Sequence, residues 1–477
     1  MPRKSGIVDP VVAGCFLNQE MSRQLIYIIQ KKMNFKAIII ANIAEAFEES
    51  IALIQSSSKR DERISIEHGL CDRTLLWEDD DKVVITPFPI SEALLQTNTD
   101  ALSAKNILNI FPKQSGVSLC ESIMEDNALM ENVFSIIRSN PGIEISPYCV
   151  TEKFLLLTCL LKRSGLEFSV STLSKSENPA RLTAYLDSKS GSRTEINKIQ
   201  NLPAIVPESF VCNTLKDAKK AAIGFFERGI SCVVKADKGE SGWGLIFVKK
   251  EKFLSADGVK QYLSNEFGKD GIWQKNMVLV EEYVESDTDK AVSPSVELFI
   301  GKDRPKITYI CDQVLGGKGD FRGIALGKDI FQEDDRGRLE EASIVIGKRF
   351  FEIGYQGFFD IDFIISRSGV PVVIETNMRR TGGTHVYDVA RKLFGESWYQ
   401  KASFLSSDGF QYGKRKLEDS EVLGRMRNIL YPIKNKKRGL IVSIIDRNRP
   451  VFGFILVGSS KEDVANLYSK MLSYWYP

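Results

Sequence analysis

The N-terminal part of the chain alternates short apolar runs with amphipathic stretches. Residues 11–16, 36–42 and 82–88 have the length and composition of buried strands. Residues 21–33 space their apolar side chains as a helix does when one of its faces packs on a core. Strands that alternate with helices usually form a parallel sheet. The pattern therefore predicts an α/β domain over residues 1–182.

After residue 182 the pattern changes to strands separated by short loops. Three pairs of apolar runs predict hairpins: 232–236 with 245–250, 278–284 with 295–301, and 360–365 with 371–377. A helix is predicted at 338–353, immediately before the third pair. Hairpins joined in this way form antiparallel sheets, so residues 183–428 are predicted to be an α+β domain.

The last segment predicts one more strand pair and a final helix. Its apolar runs lie at 439–446 and 451–458, and an amphipathic stretch follows at 461–475. We expect a small C-terminal α+β domain over residues 429–477. Three domains agree with a chain of 477 residues, because a domain has roughly 150 residues.

Composition and charge exclude several classes of partner. The formal net charge is only +2, which gives no electrostatic reason to expect nucleic acid or an anionic membrane as a partner. No run approaches the ~20 apolar residues of a membrane-spanning helix. The eight cysteines are scattered without a CxxC pair, as is typical of buried free thiols in a reducing compartment. We therefore expect a cytoplasmic protein without a thiolate metal site.

The predicted hairpin at 360–377 carries polar side chains that converge. Successive side chains of a strand alternate between the two faces of a sheet, so Asp360 shares a face with Asp362, and Glu375 shares a face with Asn377. The turn between the strands brings Asp362 close to Glu375 and Asn377. Carboxylate and amide oxygens are suitable ligands for Mg²⁺. A solvated acidic sheet face would have the same pattern, so this hairpin alone leaves both interpretations open.

Two earlier segments have features of a nucleotide site. Glycines at 239, 242 and 244 lie between two predicted strands, directly after Lys235. Because no helix follows, this loop is neither a Rossmann turn nor a Walker loop, but its backbone N–H groups could approach phosphate oxygens. The apolar strand 278–284 turns acidic at Glu281 and Glu282 and could bind an adenine edge. A simple turn and an ordinary strand end would look the same.

The order of these segments resembles the ATP-grasp superfamily over roughly residues 185–400. The separation of 13 residues between Asp362 and Glu375, and the E-x-N-x-R pattern at 375–379, fit that family. The resemblance implies that ATP binds to Lys189, Lys235, Gly239, Ser241, Gly242, Gly244, Glu281, Glu282, Tyr283 and Val284. It also implies that Mg²⁺, with Mn²⁺ as a substitute, binds to Asp362, Glu375 and Asn377.

The resemblance further implies a ligase that activates a carboxylate as an acyl phosphate and joins it to an amine. Arg379 would hold the carboxylate through a forked contact. Lys318, which lies between glycines, would reach the γ-phosphate. His385 would deprotonate the amine, with a structural histidine at a helix start as the alternative. Arg380 has its side chain on the other face of the strand, which predicts a structural ion pair.

The surroundings of the grasp segment resemble the pheganomycin-type peptide ligases. The common features are the preceding α/β domain, the polar stretch 187–193, the segment 379–385 and the short C-terminal domain. This resemblance implies small-molecule partners, namely an amino-acid-like carboxylate and the amine of an amino acid or peptide. A homodimer is the assembly that we consider.

One position departs from the family pattern. Many ATP-grasp enzymes bind the ribose hydroxyls with a glutamate where this chain has Ser293. Glu285, Asp287 and Glu297 are the candidates to replace it.

Two other functions share the same nucleotide residues. In an ATP-grasp kinase the phosphorylated group would be the product, and no acyl transfer would follow. A regulatory protein would bind the nucleotide without turnover, although the intact set of Asp362, Glu375 and Asn377 argues against a loss of the metal site.

Overall fold

A computed structural model describes residues 34–239, 243–274, 277–286, 293–316 and 321–476. The predicted first strand at 11–16 and first helix at 21–33 lie outside these residues. Three predicted site residues also lie outside them, namely Ser241, Gly242 and Lys318.

The first sheet is parallel throughout and has the strand order β3-β2-β1-β4-β5. Its strands are β1 (Ala37–Ile40), β2 (Lys82–Ile85), β3 (Ile107–Ile110), β4 (Ile143–Pro147) and β5 (Phe168–Ser169). The helices around it are α1 (Ile43–Ala46), α2 (Glu48–Ala52), α3 (Ser57–Leu70), α4 (Glu92–Leu102), α5 (Leu119–Glu125), α6 (Asn127–Ser139) and α7 (Glu152–Arg163). A 3₁₀ helix, Cys71–Leu76, follows α3. All residues of β1 are buried, as expected for a strand covered on both faces.

Two helices connect this sheet to the rest of the molecule, α8 (Pro179–Asp187) and α9 (Lys189–Ile196). Asn178 caps α8 with its side chain and Pro179 occupies its first turn, which are favourable residues at those positions. The Ser188 side chain caps α9. Residues 189–193 of the polar stretch therefore lie in a helix, and the side chains of Lys189 and Arg193 are buried.

The second sheet has four antiparallel strands in the order β6-β9-β7-β8. They are β6 (Ser209–Cys212), β7 (Cys232–Ala236), β8 (Leu245–Val248) and β9 (Val278–Glu282). Helices α10 (Leu215–Glu227) and α11 (Ala256–Phe267) pack on this sheet, with 3₁₀ turns at Lys250–Lys252 and Gly271–Trp273. The hairpin predicted from 232–236 and 245–250 is present as β7 and β8.

The third sheet has eight antiparallel strands in the order β14-β13-β10-β11-β12-β15-β17-β16. They are β10 (Pro294–Ile300), β11 (Pro305–Leu315), β12 (Phe321–Gly327), β13 (Gly357–Ile365), β14 (Pro371–Asn377), β15 (Ser403–Gln411), β16 (Gly439–Ile445) and β17 (Val451–Gly458). Its helices are α12 (Glu333–Glu352), α13 (Thr384–Phe394), α14 (Trp398–Lys401), α15 (Asp419–Arg425) and α16 (Lys461–Ser473), with a 3₁₀ turn at Ile433–Asn435.

One predicted hairpin is wrong. The runs at 278–284 and 295–301 follow each other along the chain, but β9 belongs to the second sheet and β10 to the third. β9 pairs with β6 and β7, whereas β10 pairs with β11 and β13. Proximity along the chain favours pairing, but burial of both faces decides which strands pair. The other two hairpins of this region are confirmed.

The C-terminal strands extend the third sheet. β17 pairs with β15 on one side and β16 on the other. Their apolar side chains share a core with Leu75 and Leu94 of the N-terminal part. The proposed boundary between residues 428 and 429 stays a prediction, and the sheet runs across it. The predicted mixed fold class, with a parallel N-terminal sheet and antiparallel sheets after it, is confirmed.

The predicted free cysteines are present, and two of those described are not buried. The seven cysteines of the described residues are all free, and five of them are buried. Cys159, which lies in an apolar run, is exposed because it faces away from the core side of α7. Within the same described residues, no helix has both the length and the hydropathy that a membrane span needs.

Candidate active site

A cleft of about 1280 Å³ lies where the three sheets approach one another. Seven of the residues predicted to bind ATP line it: Lys189, Lys235, Gly239, Glu281, Glu282, Tyr283 and Val284. The predicted metal ligands and the predicted carboxylate-binding arginine also line it: Asp362, Glu375, Asn377 and Arg379. The fold thus brings together segments that are far apart along the chain.

The carboxylates converge on one face of β13 and β14. Asp362 pairs with Glu375 across the two strands, and Asp360 pairs with Asn377. The Asn377 amide donates to Asp360 Oδ1 at 2.7 Å and to Asp362 Oδ2 at 3.2 Å. The side chain of Gln313 on β11 donates to Asp362 Oδ1. This is the grouping that the alternation of the strands predicts.

The electrostatics of this group call for a cation. Burial, together with the charges of Asp360 and Glu375, raises the pKa of Asp362 well above its ordinary value. Burial also raises the pKa of Asp360 to about 7. Burial acts on Glu375 in the same direction, but the ammonium groups of Lys189 and Lys235 outweigh it and lower the pKa of Glu375. Without added positive charge, Asp362 is therefore the carboxylate that is costly to ionise.

The donor chemistry fits Mg²⁺ that a nucleotide carries. Asp362, Glu375 and Asn377 offer two carboxylates and an amide oxygen, and Mg²⁺ completes such a shell with water and phosphate oxygens. The described residues contain no group of three or more acidic, histidine or cysteine side chains arranged to hold a metal alone.

Lys189 and Lys235 lie beside the glycine hairpin that joins β7 and β8. Lys189 Nζ lies 2.9 Å from Glu375 Oε2 and donates to the carbonyl oxygen of Gly239 at 2.6 Å. It therefore joins β14, which carries Glu375, to the hairpin loop. Lys235 forms an ion pair with Glu281 and a weak hydrogen bond of 3.4 Å to the carbonyl of Ile374. Both residues line the cleft.

The predicted adenine strand has its acidic side chain already paired. Glu281 is buried and accepts from Arg193 Nη2 at 2.7 Å, besides its ion pair with Lys235. The backbone N–H groups of Glu282 and Tyr283 donate to neighbouring segments of the second sheet. Val284 is the next residue and lines the cleft beyond these contacts. The Glu281 carboxylate is already paired with Arg193 and Lys235. We therefore expect any adenine contact to come from the backbone of this strand.

Arg379 lies between Asn377, a predicted metal ligand on β14, and Asp187 at the end of α8. Its Nη1 donates to Asp187 Oδ1 at 2.5 Å, and its Nη2 donates to Asn377 Oδ1 at 3.0 Å. Its guanidinium also lies over the ring of Phe47, 4.9 Å from the ring centroid. The forked end is thus held in one orientation beside a predicted metal ligand.

His385 and Gly244 are not brought to the cleft wall. His385 is fully buried near the start of α13, and its Nε2 lies 3.7 Å from Asp408 Oδ1. Burial lowers the pKa of His385 to about 4, so the ring is neutral near pH 7. Gly244 lies behind the hairpin, where it packs against Ala236. Arg380 forms the predicted structural ion pair, with Glu78 at 2.6 Å.

The residues considered for the ribose contact differ in whether they face the cleft. Ser293 lines the cleft near the metal face, and its N–H donates to Asp312 Oδ1. Glu285 forms an exposed ion pair with Arg367. Glu297 is fully buried under the sheet and does not face the cleft. Asp287 lies outside the described residues.

Four polar residues of the site have no part in the sequence-based assignment. Asp187 orients Arg379, Arg193 pairs with Glu281, Gln313 binds Asp362, and Asp360 binds Asn377. The polar stretch at 187–193 is the available signal for the first two, because charged residues at successive turns of a short helix suggest partners. Gln313 has no local signal, since its contact depends on the pairing of β10 with β11 and β13.

A search with protein-family models finds no match to the chain. Among curated proteins, the L-propargylglycine–L-glutamate ligase of Streptantibioticus cattleyicolor is 31% identical over 153 residues. The alignment covers 31% of this chain and 30% of that ligase, less than a third of the relative's length.

Solved structures match over nearly the whole chain at low identity. One is the biotin carboxylase domain of 2-oxoglutarate carboxylase from Hydrogenobacter thermophilus with MgADP, with a TM-score of 0.51, 13% identity and coverage of 92% and 90% of the two chains. Another is an N5-carboxyaminoimidazole ribonucleotide synthetase bound to ADP, with a TM-score of 0.52, 10% identity and coverage of 93% and 97%. These similarities cover more than nine tenths of the chain, so the chain has the same overall fold as these two proteins.

Proposed function

We propose that this chain is an ATP-dependent carboxylate–amine ligase that forms an amide bond through an acyl phosphate. Its carboxylate substrate is an amino-acid-like acid, and its amine belongs to an amino acid or peptide. The observation that carries the proposal is the position of Arg379, whose guanidinium contacts Asn377 and lies beside the paired carboxylates Asp362 and Glu375. A carboxylate held there would lie next to the γ-phosphate of a bound nucleotide.

The nucleotide end of the cleft supplies positioning and charge neutralisation, which are the main requirements of phosphoryl transfer. Lys189 and Lys235 face the phosphate region from two different elements, α9 and β7. Asp362, Glu375 and Asn377 would hold Mg²⁺, which supplies charge neutralisation between the β- and γ-phosphates. Arg193 keeps Glu281 and thereby Lys235 in place.

Arg379 would act in both halves of the reaction. In the first half, a carboxylate oxygen forms a bond to the γ-phosphorus and ADP leaves. In the second half, the amine forms a bond to the acyl carbon, the C–O bond to phosphate breaks, and the amine loses a proton. The guanidinium would orient the carboxylate first and then stabilise the negative charge on the tetrahedral intermediate. Its contacts to Asp187 and Asn377 preorganise it for this role.

The type of amide bond is inferred from the relative. The curated protein that matches part of the chain is named as a ligase of two amino acids. The order of segments also resembles the pheganomycin-type peptide ligases. Both similarities support an acid–amino-acid ligase over the carboxylases among the structural neighbours.

Trapping with hydroxylamine tests the proposal directly. Hydroxylamine is a small nucleophile that intercepts an acyl phosphate without the natural amine. The enzyme is incubated with MgATP, a panel of amino acids and related acids, and hydroxylamine, and the hydroxamate, ADP and AMP are measured. We expect a hydroxamate and ADP in equal amounts with at least one acid, and neither product with the Glu375→Gln variant.

Other outcomes identify the alternatives. A stable phosphorylated acid without hydroxamate would indicate the kinase. AMP and pyrophosphate would indicate adenylation and would contradict the acyl phosphate. ATP binding without turnover on any acid of the panel would favour the regulatory protein.

A further inference from the structure

A buried carboxylate lies behind the part of the cleft wall that Tyr309 and Thr381 form. It belongs to Glu297 of β10, which has no exposed surface. Within the described part of the chain, its side chain is bound only by hydroxyl groups, those of Thr308, Tyr309, Thr381 and Thr384. A buried carboxylate is normally paired with a cation. An environment of hydroxyl groups is better suited to moving a proton than to holding a charge.

Two of these hydroxyl groups connect Glu297 to the cleft. Thr381 and Tyr309 both line the cleft, and Thr381 is half-buried there. The Thr381 hydroxyl donates to Glu297 Oε2 at 3.5 Å. The Tyr309 hydroxyl lies 3.0 Å from Thr381 Oγ1 and donates to the same carboxylate oxygen at 3.4 Å. Because a hydroxyl group both accepts and donates, the three side chains form a continuous path for a proton from the cleft to Glu297.

The segment Thr381–Thr384 has the residues that this path requires. A Cβ at Gly383 would lie 2.4 Å from the Tyr309 hydroxyl oxygen, so a side chain there would push the segment away from Tyr309. The Thr384 hydroxyl donates to Glu297 Oε2 at 2.5 Å, beside the contact from Thr381. The segment therefore places two hydroxyl groups on one carboxylate oxygen, with glycine where Tyr309 leaves no room.

Asp360 is a second carboxylate that Thr381 reaches, through a hydrogen bond of its side chain. The Asp360 oxygens also accept from the Asn377 amide at 2.7 Å and from the Ser295 hydroxyl at 3.3 Å. An amide N–H group does not pass a proton on as a hydroxyl group does. Glu297 is the carboxylate that has hydroxyl groups alone around it, and it does not contact the predicted metal ligands.

The second half of the proposed reaction needs a proton acceptor. An amine with an ordinary pKa is largely an ammonium ion near pH 7, and this ion cannot attack the acyl carbon. The ammonium group must lose one proton to become a nucleophile. It loses a second proton after the C–N bond has formed, and this second proton leaves with phosphate.

We propose that Glu297 accepts the first proton of the amine substrate through the Thr381 hydroxyl. The inference rests on the proposed ligase function and adds the group that generates the free amine. The ammonium proton passes to Thr381 Oγ1 while the Thr381 hydroxyl proton passes to Glu297 Oε2, with the Tyr309 hydroxyl bonded to both. The amine nitrogen then attacks the acyl carbon, and the C–O bond to phosphate breaks. After the product leaves, water in the cleft takes the proton back through Thr381.

The groups around Glu297 set the pH range of this transfer. Burial raises the pKa of Glu297 to about 7, against the bond from Thr384 and the charge of Arg380, and the charge of Asp388 acts with burial. Further titratable side chains act on it from β11, β13 and α13, namely Tyr309, Cys311, Asp360 and Tyr387. The kcat for amide formation at saturating amine should therefore rise as pH increases through about 7. The Glu297→Gln variant should lack this rise.

A comparison of two nucleophiles tests the inference. Hydroxylamine is a weakly basic amine that is largely unprotonated near pH 7, so it does not need the acceptor. Hydroxamate formation is measured beside amide formation, with the best amine from a panel of amino acids and dipeptides. In Glu297→Gln the rate of amide formation at pH 7 should fall by ~10² or more, as expected for the loss of a general base. Its rate of hydroxamate formation should stay within a few-fold of the wild type.

A matched pair of variants at Thr381 tests the path. Thr381→Val keeps the shape of the side chain but removes the hydroxyl group, so it should slow amide formation as Glu297→Gln does. Thr381→Ser keeps the hydroxyl group and should restore most of the rate. Both variants should still form the hydroxamate. This pair decides the question even if Glu297→Gln fails to fold.

The outcomes also separate this inference from the proposed function. Equal changes in amide and hydroxamate formation, or no change in either, would show that Glu297 has only a structural role and would overturn the inference. The ligase would then still stand on the hydroxamate of the wild-type enzyme. No hydroxamate with any acid in the wild-type enzyme would refute the ligase itself.

Discussion

At the scale of single residues, the site depends on buried carboxylates whose neighbours shift their pKa values in opposite directions. Glu375 is stabilised as an anion by Lys189 and Lys235, whereas Asp362 faces other carboxylates and its pKa is raised. Glu375 is thus held as an anion that can bind a cation, whereas a bound cation would favour the ionisation of Asp362. Metal and nucleotide are therefore expected to stabilise the protein together.

Replacing Asp362 or Glu375 should stop turnover, and Asp362→Asn should do so without weakening the fold. Asp362→Asn removes a charge that burial and neighbouring carboxylates oppose, so the metal-free variant should be at least as stable as the wild type. ADP release and thermal unfolding are measured side by side, with Asp334→Asn on the exposed start of α12 as the control. Near-normal turnover of Asp362→Asn or Glu375→Gln at limiting Mg²⁺ would contradict the metal assignment.

Arg379→Lys should be nearly as damaging as Arg379→Ala. A point charge cannot replace a planar fork that contacts Asp187 and Asn377 at once. Loss of one preorganised donor to a developing oxyanion reduces the rate by about 10²–10³. The measurement is kcat, with Arg181→Lys on the exposed rim of the cleft as the control. A lysine variant within a few-fold of the wild type would remove Arg379 from the carboxylate site.

Glu297 should make stability depend on pH. Burial raises its pKa from 4.5 to about 7, against the opposing effects of its bond from Thr384 and the charge of Arg380. The folded state therefore holds the proton to higher pH than the unfolded state, and the contribution to stability falls as pH rises between those values. The loss is about 3 kcal/mol by proton linkage.

The Glu297→Gln variant isolates this effect from that of the buried histidines, which act in the opposite direction. Its free energy of unfolding, relative to the wild type, should increase by about 3 kcal/mol between pH 4.5 and 7. Urea unfolding at a series of pH values measures the difference. The Glu340→Gln variant, at a half-buried position on α12, should give a flat difference. A flat line for Glu297→Gln would show that the carboxyl group is already ionised at low pH.

At the scale of elements, the glycine hairpin between β7 and β8 connects the second sheet to β14, the strand that carries Glu375 and Asn377. Lys189 donates to the carbonyl of Gly239 and pairs with Glu375. A side chain at Gly239 would place its Cβ 2.4 Å from the carbonyl oxygen of Trp243, and Gly244 has a φ of +80°. The backbone at both positions therefore requires glycine.

Gly239→Ala should weaken ATP binding more than it weakens the fold. Relief of the clash with Trp243 requires a shift of the loop. Overpacking of this kind costs ~1–3 kcal/mol, which corresponds to a KM for ATP that is ~5- to 150-fold higher. The control is Gly224→Ala in α10, where a Cβ meets open space and alanine favours the helix. An unchanged KM for Gly239→Ala would exclude the hairpin from the nucleotide site.

At the scale of the whole molecule, the contacts of Arg380 join the first sheet to the third. Its Nη2 donates to Glu78 at 2.6 Å and to Ser146 Oγ at 3.1 Å. The guanidinium also lies over the rings of Trp77 and Phe358. One side chain thus links three separate segments across the back of the cleft.

Arg380→Ala should lower the free energy of unfolding by about 2–4 kcal/mol, because it breaks a largely buried ion pair and two ring contacts. The control is Arg391→Ala, whose 3.5 Å pair with the exposed Asp79 joins the same two parts of the protein. Exposed pairs contribute less than about 1 kcal/mol. Chemical denaturation measures both variants, and equal effects would show that burial of Arg380 adds nothing.

The sequence alone determined the hairpin at 360–377 and the faces of its two strands. Alternation along 360–377 predicted the meeting of Asp362, Glu375 and Asn377, and the register of β13 and β14 confirms it. The mixed fold class followed from the change of period near residue 182. These features are local, because side chains two residues apart on a strand share a face wherever that strand packs.

Only the tertiary structure decided which strands pair and which charges are buried together. It placed β9 and β10 in different sheets and paired Glu281 with Arg193. It also brought Arg73 and Asp408, which are 335 positions apart, into one ion pair. Such contacts depend on how whole sheets bury their apolar faces against one another, and the period of a single segment carries no information about its distant partner.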